Sequence, residues 1–309
     1  MKKVVIIGGG VLGTQIAFQT AYSGYDTYIW LRSEESIERT KPKLESVKKS
    51  YINAINEMNK GISWSNGISN KKDFDKEKCL KKVEDASKNI NIELDLKKAV
   101  KEAYIVIESM SEDFNAKKDV YLKMKPFLDD KTILVTNSST IPPSKLVKYT
   151  GKSDKFLALH FANSIWKNNT SEVMMQKYTD EKVFNEVIRF AKSINMITLP
   201  IHKEKAGYLL NSMLVPFLFS ALDLLVNGIS DVESIDKAWT ASTGAPEGPF
   251  KILDVIGLKT AYEIVKEYAK VPKFLAPYNF KAMEKLLKKY IDEGKLGKSS
   301  GEGFYKYEK

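Results

Sequence analysis

The feature that most constrains the fold is a glycine-rich turn at the start of the chain. Val4–Ile7 is an uninterrupted β-branched run, typical of a parallel strand covered on both faces. The turn that follows has the spacing G-x-G-x-x-G and leads into apolar residues at helical spacing. In such a strand–turn–helix unit the glycines permit a tight turn and close approach of a pyrophosphate. The predicted dinucleotide contacts are Gly8, Gly10, Val11, Leu12 and Gly13.

Strand patterns recur along the first 200 residues, with helical stretches between most of them. This alternation predicts an α/β domain with a Rossmann-type, doubly wound parallel sheet. The segment between Ser33 and Ser87 is lysine-rich, mostly helical and poor in apolar positions, so we expect a helical excursion from the sheet. The further predicted strands are Tyr28–Leu31, Ile105–Glu108, Thr132–Thr136, Phe156–His160 and Thr198–Pro200.

Beyond residue 200 only helical patterns follow, including one predicted helix over Asp254–Lys270. A chain of 309 residues is long enough for two domains. We therefore predict a dinucleotide-binding domain over 1–200 and an all-α C-terminal domain over 201–309, for substrate binding and dimerisation. Leu209–Val226 is the most apolar stretch. Asn211, Pro216 and Asp223 interrupt it, which favours a buried helix over a membrane span.

Composition limits the partners of the chain. The net charge of +10 comes from lysines spread along the sequence, which indicates a solvated surface rather than a nucleic-acid footprint. Cys79 is the only cysteine, so no intrachain disulfide can form and a reducing compartment is expected. The apolar run after Met1 ends at Gly8, too early for a secretory signal. We expect a cytoplasmic protein with no nucleic-acid partner, no membrane partner and no metal site.

The end of the second predicted strand bears on the choice of cofactor. An NAD site usually carries Asp or Glu here, to bond the ribose 2′-hydroxyl. In this chain Leu31 holds that position and is followed by Arg32 and Ser33. A guanidinium and a hydroxyl suit a 2′-phosphate, which favours NADP(H) over NAD. The alternative is that Arg32 stacks over the adenine while other groups hold NAD.

His160 is the candidate base. It stands at the carboxyl end of a predicted strand, where ligands collect in open α/β sheets. A neutral imidazole beside a nicotinamide indicates hydride transfer coupled to proton transfer. Polar residues at the edges of other apolar segments, among them Glu172 and Asn211, need partners to offset their desolvation. The alternative for His160 is a core histidine bonded to the backbone.

Several motifs in a fixed order resemble those of one family. They are the glycine turn, Val106–Glu112 with Lys117, Asn137–Ser139, His160–Asn163 with Glu172, Gly207–Asn211, Gly244–Phe250, Asp254–Leu258 and Gly297–Tyr305. With these motifs nearly the whole chain resembles the L-3-hydroxyacyl-CoA dehydrogenase family, which includes 3-hydroxybutyryl-CoA dehydrogenases. The resemblance implies an NAD(P)-dependent oxidoreductase that is a homodimer through its C-terminal domain.

The resemblance also implies residue roles. His160 would take the proton of the substrate 3-hydroxyl, or return it in the reverse reaction, and Glu172 would orient the imidazole. Ser139 and Asn211 would bond the substrate oxygen or the histidine, and Ser138 would replace Ser139 if the turn slips by one residue. Family contacts on the cofactor side would come from Glu112, Lys117 and Asn163.

Two departures from the family pattern bear on the substrate. The loop Ser164–Ser171 lacks the family's prolines and is more polar, which favours a short or hydroxylated substrate. Four lysines, at positions 41, 43, 48 and 49, fall where the family contacts CoA phosphates. The leading hypothesis is a short-chain 3-hydroxyacyl-CoA dehydrogenase. The alternatives are a dehydrogenase of a free hydroxy acid, such as a sugar acid or carnitine, and a nucleotide-binding scaffold without turnover. A positioned base argues against the scaffold.

Overall fold

The structure is a computed structural model that describes residues 1–272 and 275–308. The chain folds into two compact units, Met1–Leu209 and Leu210–Lys309. The division lies beyond the predicted boundary at residue 200. Ile201 still pairs with Met174 in the sheet, and the Tyr208 hydroxyl donates a hydrogen bond to the Ser138 carbonyl, so both belong to the first unit.

The first unit is built on one eight-stranded sheet. Its strands are β1 Lys3–Ile7, β2 Asp26–Trp30, β3 Ile90–Glu93, β4 Ile105–Glu108, β5 Ile133–Thr136, β6 Phe156–Phe161, β7 Thr170–Met174 and β8 Ile197–Ile201. The order is β3-β2-β1-β4-β5-β6-β7-β8, and every neighbouring pair is parallel except β6 and β7. The predicted doubly wound α/β fold is confirmed. The strands β3 and β7, and the antiparallel pairing of β6 with β7, were not predicted.

Seven helices accompany this sheet in the described part of the unit. They are α1 Val11–Tyr22, α2 Glu34–Asn59, α3 Lys76–Asn89, α4 Leu96–Val100, α5 Phe114–Met124, α6 Pro143–Thr150 and α7 Glu181–Ser193. Alternate residues of β1 enter opposite cores: Val4 and Ile6 pack on one face, Val5 and Ile7 on the other. Burial on both faces explains why these strands have no polar alternation.

The helices α2 and α3 form the predicted excursion. They pack on α1 around a separate apolar cluster that includes Phe18, Tyr51 and Val83. The Tyr51 hydroxyl is bonded to the side chain of Gln19, which is buried in α1. The excursion therefore shares its core with the first helix of the nucleotide domain, as its few apolar positions require.

The second unit is helical. Its helices are α8 Tyr208–Val226, which starts two residues before the unit does, α9 Val232–Thr243, α10 Pro249–Ile256, α11 Leu258–Tyr268 and α12 Phe280–Asp292. Gly257, at φ +92°, separates α10 from α11, so the prediction of one helix over Asp254–Lys270 is wrong. A backbone in this conformation ends a right-handed helix, and glycine adopts it without a steric penalty.

The helix α8 differs from the buried helix that its composition predicts. By length and composition alone it could cross a membrane, and 22% of its apolar window is buried within the chain. Leu218, Phe219 and Leu222 enter the core of the second unit, whereas Leu210 and Met213 are exposed. Among the described residues, those of α8 that are buried in this core lie in its second half, and its first half carries the exposed Leu210 and Met213.

Candidate active site

The glycine turn after β1 has the geometry of a phosphate cradle. Gly8 has φ +112°, and a Cβ there would lie 2.9 Å from the Ser109 carbonyl oxygen. A Cβ on Gly13 would collide with the Gly8 carbonyl oxygen, whereas one on Gly10 would meet open space. Gly10 is the N-cap of α1, and no side chain caps that helix. The first N–H groups of α1 are therefore available to an anion.

A cavity of about 210 Å³ adjoins this turn. It lies among the carboxyl ends of β1, β2 and β4 and the first turns of α2. Of the described residues that line it, three are cationic and none is acidic. Its lining residues are Gly8, Gly9, Gly10, Trp30, Leu31, Arg32, Ser36, Arg39, Thr40, Lys43, Ser109, Met110 and Ser111. The turn and the cavity together fit the pyrophosphate and one nucleoside half of a dinucleotide.

The structure separates the two residues predicted after β2. Arg32 lines the cavity, whereas Ser33 does not, and the Ser33 hydroxyl lies 3.2 Å from that of Ser36 one turn later. Arg39 donates to the Ser36 hydroxyl at 3.0 Å, and Lys43 to the Gly9 carbonyl at 3.4 Å. Ser36 and Arg39 were not predicted as cofactor contacts. Their helical spacing with residues 40 and 43, directly after the second strand, is the signal that could have found them.

Val11 and Leu12, the two predicted turn contacts that are not glycines, differ in their exposure to solvent. Val11 is the first residue of α1 and is 62% exposed. Leu12 is half-buried against the core on one face of the sheet. Val11 therefore has its side chain free to contact a ligand, and Leu12 anchors the turn to the core.

The antiparallel pair β6–β7 brings together the two residues predicted as base and orienting carboxylate. His160 and Glu172 lie directly opposite each other in the register, although they are twelve residues apart. His160 Nδ1 is 3.0 Å from Glu172 Oε2. An ionised carboxylate can only accept, so Nδ1 carries the proton and Nε2 of the neutral ring has its lone pair free to accept.

The hydroxyl of Ser139 lies at the other ring nitrogen. Ser139 Oγ is 3.0 Å from His160 Nε2, and in this tautomer the hydroxyl donates. Ser138 points elsewhere, since its hydroxyl donates to Glu112 Oε1 at 2.5 Å. Ser139 rather than Ser138 therefore contacts the imidazole. The result is a line of Glu172, His160 and Ser139 at the carboxyl ends of β5 and β6.

Glu112 and Lys117 belong to one network of charged side chains, which is buried at Lys117 and partly exposed at Glu112. Lys117 is 1% exposed, and its Nζ lies 2.6 Å from Oε1 of the fully buried Glu108 and 3.5 Å from Glu112 Oε2. Burial opposes ionisation of Glu112, but hydrogen bonds from Ser138 and Thr140 and the charge of Lys117 lower its pKa to about 2. The Lys117 ammonium therefore pairs with the carboxylates of Glu108 and Glu112. Glu112 in turn holds the turn that carries Ser139.

Two side-chain amides fix the ends of strands near the site. Asn137 Oδ1 accepts from the Phe161 amide at 2.9 Å, which ties β5 to β6 next to His160. Gln15 Oε1, on α1, accepts from the Ser164 amide at 2.8 Å. Gln15 was not predicted, because a buried amide inside a helix leaves no local signal in the sequence.

The two predicted asparagine contacts lie at different places. Asn163 is exposed, and its carbonyl oxygen accepts from the Asn168 side chain at 3.0 Å. Asn211 is an exposed residue of α8 in the second unit. The roles of both residues stay predictions.

The four lysines predicted to contact CoA do not form one group. Lys41 and Lys49 are exposed on α2, and Lys48 forms an ion pair with Glu84 at 3.0 Å. Lys43 lies instead on the cofactor cavity. Lys41 and Lys49 are therefore the exposed members of the set, and Lys41 also lies 3.8 Å from the exposed Glu38.

Comparison with protein families gives two matches in tandem. A family model described as the NAD binding domain of 3-hydroxyacyl-CoA dehydrogenase matches residues 3–205. A second model, described as the C-terminal domain of 3-hydroxyacyl-CoA dehydrogenase, matches residues 207–307. The two matches together span nearly the whole chain.

Individual relatives agree with these matches. The chain is 28% identical to a mitochondrial hydroxyacyl-coenzyme A dehydrogenase of Homo sapiens, over 99% of this chain and 91% of the relative. It is 28% identical to a 3-hydroxybutyryl-CoA dehydrogenase of Clostridioides difficile, over 99% of this chain and 100% of the relative. A solved diketoreductase, described by its dual catalysis of dicarbonyl compounds, is 42% identical with a TM-score of 0.84, over 99% of both chains.

Proposed function

The chain belongs to the 3-hydroxyacyl-CoA dehydrogenase family and is an NAD(P)-dependent oxidoreductase, and we propose that it interconverts short-chain L-3-hydroxyacyl-CoA and 3-oxoacyl-CoA. The observation that supports this most strongly is the line of Glu172, His160 and Ser139, with 3.0 Å between each neighbouring pair of polar atoms. This arrangement can move a proton to or from one hydroxyl oxygen.

The residues of this chain supply the proton chemistry. In the oxidation direction His160 Nε2 takes the proton of the substrate hydroxyl as a carbonyl forms at the same carbon. Glu172 holds Nδ1–H and stabilises the positive charge that the imidazole then carries. The Ser139 hydroxyl, close to Nε2, bonds the reacting oxygen and keeps it aligned with the base. A nicotinamide, when bound, supplies the hydride acceptor or donor.

We propose NADP(H) as the preferred cofactor. Arg32, Arg39 and Lys43 line the cavity, and Leu31 stands where an NAD site carries a carboxylate. A guanidinium forks onto phosphate oxygens, and a 2′-phosphate gives the two arginines an anionic partner that a ribose hydroxyl does not supply. A 2′-phosphate therefore complements this cavity better than a free 2′-hydroxyl.

Steady-state rates with NADPH and NADH test this preference. Removing one charge-assisted contact in Arg39→Ala should lower kcat/KM for NADPH about 10-fold or more and leave that for NADH nearly unchanged. Arg189→Ala is the matched control, because Arg189 lies on α7 and pairs with Glu186. A wild-type preference for NADH would contradict the proposal.

A free dicarbonyl compound is the second candidate substrate. The diketoreductase relative acts on dicarbonyl compounds, and the polar loop Ser164–Ser171 suits a substrate more polar than a fatty acyl chain. Both candidates carry an oxygen that His160 could protonate. They differ in the CoA phosphates, for which Lys41 and Lys49 are accessible cations.

The two substrates can be separated in one assay. Acetoacetyl-CoA and a free diketo ester are compared on the wild type and on Lys41→Glu/Lys49→Glu. If CoA is recognised, kcat/KM for acetoacetyl-CoA exceeds that for the free compound, and the double variant lowers only the former. A higher kcat/KM for the free compound, unaffected by the variant, would favour the second candidate.

We also propose that the chain is a homodimer through its second unit. That unit exposes several large apolar side chains: Leu210, Met213, Leu224, Trp239 and Val255. Homodimer interfaces are more apolar than the rest of a protein surface, and large apolar side chains gain from removal from water. A second copy of the chain carries the same exposed apolar residues and would cover them in a symmetric contact.

A further inference from the structure

Tyr208 covers one face of the imidazole of His160. The two rings are stacked, with centroids 4.5 Å apart and an interplanar angle of 17°. Tyr208 is only 3% exposed, so the stack lies inside the first unit. The ring nitrogens of His160 meanwhile contact Glu172 and Ser139 at its edge. Stacking and edge contacts together define the orientation of the imidazole.

The hydroxyl of Tyr208 reaches the turn that carries Ser139. It donates to the Ser138 carbonyl oxygen at 2.5 Å. Ser138 directly precedes the residue whose hydroxyl lies at His160 Nε2. Tyr208 therefore contacts the imidazole with its ring and the neighbouring turn with its hydroxyl.

The backbone continues the same set of contacts. The Leu209 amide donates to Glu172 Oε1 at 2.9 Å, while Oε2 of the same carboxylate faces His160 Nδ1. Both oxygens of Glu172 are thus held. The dipeptide Tyr208–Leu209 touches the base, its carboxylate and the serine turn.

The backbone of Tyr208 is strained. Its φ is +54°, a left-handed conformation that residues with a Cβ adopt rarely. It follows Gly207 at φ +82°. Strain of this kind persists where surrounding contacts hold it, and it concentrates at functional sites. Here it directs the tyrosine side chain toward His160 and Ser138, and the next amide toward Glu172.

We propose that Tyr208 is a positioning residue that holds the imidazole, Glu172 and the Ser139 turn in one geometry and stabilises the protonated imidazole through its ring face. The electron-rich face of a phenol attracts a cation placed over it. The inference rests on the proposed function, because it takes His160 as the group that gains and loses the proton.

Among the described residues, ionisable side chains contact His160 from β7 and from the start of α8. Glu172 lies on β7, and Tyr208 begins α8. Burial and the charges of Glu172 and Glu112 raise the pKa of Tyr208, which keeps its hydroxyl protonated as a donor. The phenol therefore stays neutral over the pH range in which an imidazole titrates.

Two variants separate the ring from the hydroxyl. Tyr208→Phe keeps the stack and removes the bond to Ser138, so kcat should fall about 10-fold with the KM values and the cofactor Kd unchanged. Tyr208→Leu also removes the stack. With the protonated imidazole less stable, the acid limb of the kcat/KM profile for alcohol oxidation should move at least about half a pH unit lower. In Tyr208→Phe that limb should stay in place.

Tyr104→Phe is the matched control, because the Tyr104 hydroxyl donates to Glu186 at 2.5 Å and does not touch the site. It should leave kcat and the pH profile at wild-type values. The inference is overturned if Tyr208→Phe retains kcat within about 2-fold, or if a folded Tyr208→Leu keeps the wild-type acid limb. A fully active His160→Gln would overturn the proposed function and this inference together. A dead His160→Gln beside unchanged Tyr208 variants would overturn the inference alone.

Discussion

Glu172 has two roles at the imidazole of His160. One oxygen accepts from Nδ1 and so fixes the tautomer, and the carboxylate charge stabilises the protonated ring. The other oxygen is held by the Leu209 amide, which limits rotation of the carboxylate. The orientation of the imidazole therefore depends on the Glu172 carboxylate, which the Leu209 amide holds in place.

Glu172→Gln keeps the shape of this contact but removes its charge. We expect kcat to fall about 10²–10⁴-fold, because the protonated imidazole loses its stabilising partner. Cofactor binding, measured by fluorescence titration, should remain at the wild-type Kd, since Glu172 lies on β7 and does not line the cofactor cavity. A variant with kcat within a few-fold of the wild type would show that the carboxylate is structural.

Ser138 and Ser139 form a natural matched pair. Ser139→Ala removes the hydroxyl at His160 Nε2 and should lower kcat about 10- to 100-fold, the effect of one lost hydrogen bond to the reacting oxygen. Ser138→Ala removes a bond to Glu112 instead, and should lower the thermal midpoint more than it lowers kcat. Equal losses of kcat in the two variants, measured at saturating substrate, would contradict the assignment of Ser139 to the reacting oxygen.

The sequence identifies some residues of the candidate site and misses others. His160, Glu172 and Ser139 could be predicted from motif positions, and the 3.0 Å contacts bring all three together. Tyr208 could not, because a left-handed φ at a non-glycine residue depends on contacts far away in sequence. Gln15 was missed for the same reason, since its partner lies 149 residues away.

The ends of β4 and β5 are joined through the carboxylate of Glu112. Its oxygen accepts from the Thr140 amide at 2.7 Å and from the Ser138 hydroxyl, both in the turn after β5. These bonds require the ionised form, which is why the pKa of Glu112 falls from 4.5 to about 2. The folded state therefore binds a proton at Glu112 less readily than the unfolded chain does.

Stability near this turn should depend on pH in a defined direction. A carboxyl with a lowered folded-state pKa stabilises the fold above about pH 4.5, and that stabilisation is lost as pH falls toward about 2. Since the Glu112 side chain is 34% exposed, we expect a contribution of about 1–2 kcal/mol at neutral pH after solvent screening.

Urea unfolding of the wild type and Glu112→Gln, at several pH values, measures this contribution. The variant should be less stable at neutral pH and should converge on the wild type as the pH falls below about 3. Glu45→Gln, at an exposed position of α2, is the control and should leave both curves unchanged. A constant difference between wild type and Glu112→Gln at all pH values would contradict the role given to the charge.

Some helices and strands can be predicted from the local sequence pattern, whereas others depend on pairing with strands that are distant in sequence. The unit of β1, glycine turn and α1 is local, so the sequence predicts it well. The strand β7, Thr170–Met174, lacks clear alternation because it lies between β6 and β8 and four of its five residues are buried. Without β7 the sequence predicts the residue pair His160–Glu172 but not the register that joins it.

At the scale of the whole molecule, the large apolar side chains exposed on the second unit underlie the proposed dimer. Light scattering after size exclusion should give twice the 35.0 kDa mass of the chain. Met213→Glu places a charge on an exposed apolar position of α8 and should shift the mass toward the monomer. A monomeric wild type at micromolar concentration would contradict the dimer.

The most direct test of the account is the rate of hydride transfer in a single turnover, followed by the absorbance of the reduced nicotinamide. Wild type and His160→Gln are loaded with reduced cofactor and mixed with acetoacetyl-CoA or the free diketo ester. We predict equal cofactor Kd values and a rate at least about 10²-fold lower in the variant, for whichever substrate the wild type reduces. Hydride transfer at the wild-type rate in His160→Gln would contradict the assignment of the imidazole as the proton donor and base.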